Sequence, residues 1–143
     1  LWYLYKRQVY NQLCNLKKTL SLNAQLFAKY KKSFKNDKYC YINNHHKGSK
    51  PNNWVINLML KDDYVNKHQN LLRHMHKNNL YLRELWKPQH LSQHLKDYPQ
   101  SDLTNSIKIW KRTISLPSCY YIKWKEKYVY SQQVGQIITT YLY

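Results

Sequence analysis

Ser49-Lys50-Pro51-Asn52-Asn53-Trp54-Val55-Ile56-Asn57-Leu58-Met59-Leu60-Lys61-Asp62-Asp63 changes character twice along its length. It closes a stretch from His45 to Asn53 that holds Gly48, Pro51 and a run of turn-favouring polar residues, the clearest loop in the chain. From Trp54 to Leu60 the residues are almost continuously apolar, which predicts a buried strand. Asp62-Asp63 can then cap a helix and place negative charge at its positive end. That helix is predicted to run to about Asn78, with Tyr64, His68, Leu71, Leu72 and Met75 on one face.

Upstream, the pattern is helical from about residue 10 to residue 35. Leu13, Leu16, Leu20, Ala24, Phe27 and Ala28 recur at steps of three and four, with most lysines elsewhere on the helix. Asn36-Asp37 breaks it, and Lys38 to Asn43 is a short strand candidate. Downstream, Asn78-Asn79 ends the middle helix and Leu80 to Leu85 reads as a second core strand. Pro88 suits a first helical turn that places Leu91 and Leu95 together, until Pro99. Asp102 opens a helix with Leu103, Ile107 and Trp110 in register. Thr113 to Leu116 is extended and ended by Pro117. Lys125 to Tyr130 is ambiguous, and Ser131 is placed to cap a last helix striped with Val134, Ile137, Ile138 and Tyr141. The order predicts one α+β domain over residues 1–143, a short sheet with helices packed on it. Its long first helix spans about 10–35, and the sheet and other helices span 38–143.

Hydrophobic residues make up 43% of the 143, enough for a core. Lys and Arg total 24 against 7 acids, a net charge of +17, and Glu84 and Glu126 are the only glutamates. A charge of this size attracts polyanions: nucleic acid, anionic lipid or a phosphate-bearing substrate. The lysines come in dispersed pairs and triplets, however, as on a solvated basic surface, and not as a basic arm. Cys14, Cys40 and Cys119 are odd in number and far apart, which argues against a disulfide framework and points to a reducing compartment. No apolar run approaches the ~20 residues of a membrane span. The expectation is a cytoplasmic protein, with an organellar matrix also compatible. Leu1 in place of a methionine fits a fragment or a processed chain.

Few constellations carry chemistry. Gly48 and Gly135 could hardly build a phosphate loop, and the acids are too scattered for a carboxylate pair. His90 and His94 would share a face of a helix, as metal-binding pairs do, but no acid or cysteine nearby completes a ligand set. Trp2, Trp54, Trp86, Trp110, Trp124 and 15 tyrosines interleave with lysine and could stack bases. Against this, Trp54 and Trp110 fall on faces predicted to be buried, and no RRM, KH or OB signature is present.

Four stretches, taken together, are more specific. They are Ser49-Lys-Pro-Asn-Asn-Trp-Val-Ile-Asn-Leu-Met-Leu, Arg83-Glu-Leu-Trp-Lys-Pro-Gln-His, Asp102-Leu-Thr-Asn, and Arg112-Thr-Ile-Ser-Leu-Pro-Ser-Cys. In this order and spacing they resemble the C-terminal part of the DegT/DnrJ/EryC1/StrS aminotransferases, most closely the branch acting on UDP-linked 4-keto amino sugars. The chain departs from that pattern at Asn53, where the family usually has tyrosine, and at Asn79, where it has glycine. Glu84 replaces a proline and Cys119 a serine.

The resemblance implies the small domain of a fold-type I enzyme that uses pyridoxal phosphate (PLP). In such enzymes the Schiff-base lysine, the acid at the pyridinium nitrogen and the phosphate-cradling turn lie in a larger N-terminal domain, and PLP chemistry needs them. This chain would supply one wall of the cleft, bind no cofactor alone and be inactive alone. Asn52, Arg83, Trp86 and His90 would be the substrate-binding residues, with Arg83 and His90 toward the phosphates of a nucleotide sugar and Trp86 near its sugar or base. The implied partners are an N-terminal aminotransferase domain or companion chain, within a parent that pairs as a homodimer. The alternative is a domain of the same fold recruited as a basic scaffold or RNA-contacting protein in a larger assembly.

Overall fold

A computed structural model describes residues 2–118, 122–124, 127–129 and 131–142. Strands β1 (Cys40–Ile42), β2 (Ile56–Leu60), β3 (Arg83–Glu84) and β4 (Thr113–Leu116) form an antiparallel sheet in the order β1-β2-β4-β3. The apolar run thus becomes an inner strand. Leu58 lies in register with Ile42 on one side and Ile114 on the other, and all three are buried. Strands β5 (Ile122–Trp124) and β6 (Lys127–Val129) make a separate antiparallel pair.

Among the described residues five helices accompany the sheet: α1 (Trp2–Cys14), α2 (Leu16–Ser33), α3 (His68–Lys77), α4 (Thr104–Arg112) and α5 (Ser131–Leu142). The core joins the sheet to Leu26 and Tyr30 of α2, to Phe34 just beyond it, to Leu71, Leu72 and Met75 of α3, and to Val134, Ile138 and Leu142 of α5. The α3 face and the α5 stripe are therefore the ones their periodicity predicts. Tyr30 is fully buried and its hydroxyl donates to the Pro117 carbonyl at 3.1 Å, tying α2 to the end of β4. Gly135 lets α5 approach α2 closely, since a Cβ there would sit 3.0 Å from Ser33 Cβ.

Several expectations need correction. The first helix starts at Trp2, not near residue 10, and is interrupted only at Asn15. Even there the Asn15 N–H reaches the Asn11 carbonyl and the Thr19 N–H reaches the Asn15 carbonyl. Its Leu13, Leu16, Leu20, Ala24 and Ala28 face solvent, and the buried positions are Leu26 and Tyr30. Asp62 does not cap a helix by its side chain. The segment Asp62–Lys67 is a 3₁₀ turn, and Asp62 pairs with Arg112 at 2.9 Å instead. Strand pairing after Asn79 is confined to Arg83–Glu84, although Leu80 and Leu82 are buried as predicted. Asn79 takes φ 58°, the left-handed turn that asparagine tolerates best among non-glycine residues.

The segment after Pro88 is not an α-helix. Gln89–Leu91 and Gln93–Leu95 are separate 3₁₀ turns parted by an extended Ser92, so His90 and His94 share no helical face. Among the described residues no three His, Cys, Asp or Glu side chains gather as metal ligands. At α4, the Asp102 carboxylate accepts from the Thr104 N–H at 3.0 Å and the Thr104 hydroxyl at 2.7 Å. The hydroxyl and then the N–H hold the Asp102 carboxyl below its ordinary range. Of the ambiguous Lys125 to Tyr130 segment, Lys127–Val129 is strand, and Lys125 and Tyr130 lie outside the described residues, as does Cys119.

A short connector fastens the first helix to β1. Asp37 Oδ1 accepts from the backbone N–H of Tyr39 at 2.7 Å and of Cys40 at 2.9 Å, and Cys40 Sγ lies 3.3 Å from the same oxygen. Burial, with the neighbouring Asp37 carboxylate second, pushes the Cys40 thiol far up. The folded chain therefore keeps this proton at pH values where the unfolded chain releases it. Its contribution to stability falls as pH rises through the ordinary thiol range. Iodoacetamide at pH 8 should alkylate exposed Cys14 and spare Cys40 until denaturant opens the fold, as read by peptide mass spectrometry. Equal labelling of the two in the native chain would contradict this burial.

Candidate functional site

The edge strand β3 and the end of β4 border an open cleft of about 240 Å³. Across that edge Arg83 is in register with Ser115. Ser115 alternates with buried Ile114 and Leu116, so the pleat turns it away from the core, and both Arg83 and Ser115 line the cleft. Pro117 and Ser118 extend the same wall. Trp54, Tyr81 and Trp86 bring three aromatic rings to it.

Trp54 reaches the cleft because the loop before β2 is pinned to α2. The Asn23 amide donates to the Asn52 carbonyl at 3.1 Å, and the His45 ring packs on Phe27 with centroids 4.4 Å apart. His45 Nε2 in turn lies 2.7 Å from Asn53 Oδ1. Asn53 is buried at φ 51°, a left-handed backbone that asparagine accommodates. Immediately before it, Asn52 Oδ1 accepts the Trp54 N–H at 3.1 Å, closing a tight turn. Trp54 emerges 64% exposed, contrary to its predicted burial. Trp110 is half-buried, its indole N–H donating to the Leu85 carbonyl at 3.1 Å beneath the segment that carries Trp86.

Of the four residues singled out in the sequence, the cleft brings together Arg83 and Trp86. Asn52 does not line it, and its polar groups shape the turn that presents Trp54. His90 does not line it either; its Nε2 is buried without a hydrogen-bond partner among the described residues. Trp54 and Tyr81 are cleft residues that sequence reading missed. The Asn52-Asn53 pair just before Trp54 was the available signal, because a turn there leaves the next residue outside the strand.

Glu84 also lines the cleft, and its carboxylate accepts from the Gln69 amide of α3. Among the described residues the ion pair is that of Arg112 with Asp62, and Arg83 has no carboxylate partner. The cleft thus combines, among the described residues, the Arg83 guanidinium with the Glu84 carboxylate, Ser115, Ser118 and flat aromatic surface, and the guanidinium can take an anion attached to a planar or ring-shaped group.

The profile of the DegT/DnrJ/EryC1/StrS aminotransferase family matches residues 9–132. The chain belongs to this family. No curated protein matches it in sequence. Among solved structures it is similar to PseC of Helicobacter pylori, an aminotransferase involved in the biosynthesis of pseudoaminic acid, with TM-score 0.76 and 16% identity over 92% of this chain and 34% of that one. The aminotransferase TlmJ of Streptoalloteichus hindustanus gives TM-score 0.77 and 12% identity over 93% of this chain and 34% of that one. The putative sugar aminotransferase Spr1654 of Streptococcus pneumoniae, in its PMP form, gives 0.75 and 14% over 92% and 32%. The chain thus spans about a third of the solved aminotransferases it matches.

The DegT/DnrJ/EryC1/StrS family is PLP-dependent, and Spr1654 is solved in PLP and PMP forms. A PLP aldehyde is held by a lysine amine. Among the described residues no lysine lines the cleft, and its cation is Arg83. Among those residues this cleft therefore offers the PLP aldehyde no lysine amine. No helix among the described residues is long and apolar enough to cross a membrane.

Proposed function

We propose that this chain forms one wall of the substrate cleft of a nucleotide-sugar aminotransferase and is inactive without the rest of that fold. The observation that carries this reading is the meeting of Arg83 and Trp86 in one cleft, with Trp54, Tyr81 and Ser115 beside them. Arg83 would take a phosphate oxygen of the diphosphate, a charge-assisted contact for which a guanidinium without an ion pair among the described residues is well suited. Trp86, or Trp54 opposite the same wall, would lie against the base or sugar ring. Asn52 would act indirectly, by fixing the turn before Trp54, and His90 from the turn behind the wall. The UDP-linked keto sugars favoured by the sequence resemblance are the substrate class to test first.

PLP added to the chain alone should show no absorbance band of a lysine-bound cofactor near neutral pH, and no half-reaction with an amino donor. Adding an N-terminal aminotransferase fragment that supplies the anchoring lysine should produce both. A lysine-bound band with the chain alone would overturn the wall-only reading. A second reading, an RNA-contacting scaffold, draws on the exposed Lys17, Lys18, Lys31 and Lys32 along α2. It predicts affinity that collapses with salt and is indifferent to Arg83 and Trp86.

A further inference from the structure

The chain has 7 acids against 24 lysines and arginines, and one of those acids, Glu84, stands beside Arg83 on β3 and lines the cleft with it. Consecutive residues of a strand turn to opposite faces. Arg83 accordingly lies in register with Ser115 on the cleft side, and Glu84 with buried Ile114 on the core side. Glu84 nevertheless borders two hollows. One is the cleft, and the other, of about 280 Å³, is lined by Gln69 of α3 and by Trp110 and Lys111 of α4. The carboxylate stands at the rim between them.

That carboxylate accepts from the Gln69 amide through one oxygen. Gln69 is fixed in turn, because it sits in the first turn of α3 between buried His68 and buried Leu71. Among the described residues no cation pairs with Glu84: the ion pair is that of Arg112 with Asp62, and neither Arg83 nor Lys111 closes on the carboxylate. Its other oxygen keeps its acceptor capacity. The cleft therefore shows a cation and an anion side by side, neither cancelled by the other.

A net charge of +17 draws every anionic ligand alike, so it cannot tell one nucleotide sugar from another. Discrimination has to come from a local group of the opposite sign. Neighbouring strand residues are spaced by about 3.3 Å, so a phosphate held on Arg83 brings the next ring of the same ligand within side-chain reach of Glu84. A hydroxyl or an ammonium there would give the carboxylate a donor. A ligand carboxylate there would meet like charge.

We propose that Glu84 is a specificity-determining residue of the cleft, accepting sugars that turn a hydroxyl or ammonium group toward it and rejecting those that turn a carboxylate. This role rests on the nucleotide-sugar reading of the cleft.

The full chain is titrated with two matched pairs of ligands, UDP-glucosamine against UDP-N-acetylglucosamine and UDP-glucose against UDP-glucuronate, in about 0.15 M salt to screen distant charges. In each pair the first ligand should be favoured. Glu84→Gln should cut that advantage by about two- to fivefold, the range of an exposed charge contact. The thermal melt should stay unchanged, because the side chain is exposed. Asp97→Asn removes the same charge from a residue that does not line the cleft and should leave both ratios as they are. Ratios that survive Glu84→Gln, or that Asp97→Asn shifts equally, would overturn the role of Glu84. When all four ligands bind and weaken together in Arg83→Ala, such a result removes that role alone. If none binds, or Arg83→Ala changes nothing, the nucleotide-sugar reading falls and takes the role of Glu84 with it.

Discussion

Leu58→Ala should destabilise the domain by about 3–5 kcal/mol, the upper part of the range for emptying a leucine site in a packed core. Leu58 is fully buried on an inner strand and sits between Ile42 and Ile114 in a cross-strand row that neither neighbour can leave without breaking its own register. The cavity would lie under the core residues of α2, α3 and α5, which are fixed to one another. Gly135 already brings α5 against Ser33, leaving little slack for collapse. Urea unfolding followed by circular dichroism would read the change, with a melting point lower by roughly 10 °C or more. Trp86→Ala, at a site 71% exposed, is the control and should move stability by only about 0.5 kcal/mol or less. A loss below about 1 kcal/mol at Leu58 would mean that β2 is not the centre of the core.

How much of this could be read beforehand depended on whether a segment's partner lies within the chain. The faces of α3 and α5 were legible because His68, Leu71, Leu72 and Met75, and Val134 and Ile138, pack against this chain's own sheet. Strand β4 was legible to the residue, since Pro117 stops it as written. The first helix misled for the same physical reason. Its Leu13, Leu16 and Leu20 are as apolar and as periodic as core positions, and periodicity says that a face is meant to be covered, not by what. The 3₁₀ turns after Pro88 were missed because spacing alone cannot distinguish a helix from two turns parted by an extended Ser92.

At the cleft, Arg83 and Trp86 stand on one wall. Trp54 escaped notice because an apolar residue one or two places before a strand looks like part of it. Only the left-handed Asn53 sets it outside. His90 was expected to face the cleft and instead lies in a turn with its Nε2 buried. Its three-residue turn follows Pro88, whose extended backbone redirects the chain just after Trp86.

The largest functional effect should come at Arg83. If the cleft takes a nucleotide sugar, removing the guanidinium loses charge-assisted hydrogen bonds of about 1.5–3 kcal/mol, a fall in affinity of roughly 10- to 100-fold. Removing the Trp86 ring loses a stacking surface of about 1–3 kcal/mol. Both side chains are exposed, so neither loss should come through unfolding.

The most direct measurement is a two-dimensional NMR titration of the full chain with a UDP-linked amino sugar, following the tryptophan indole N–H and backbone signals. The account predicts shifts confined to Trp54, Tyr81, Arg83, Glu84, Trp86 and Ser115, weakened at least about tenfold by Arg83→Ala and by Trp86→Ala. Shifts spread over the lysines of α2, weakening steeply with salt and unchanged in both variants, would contradict it.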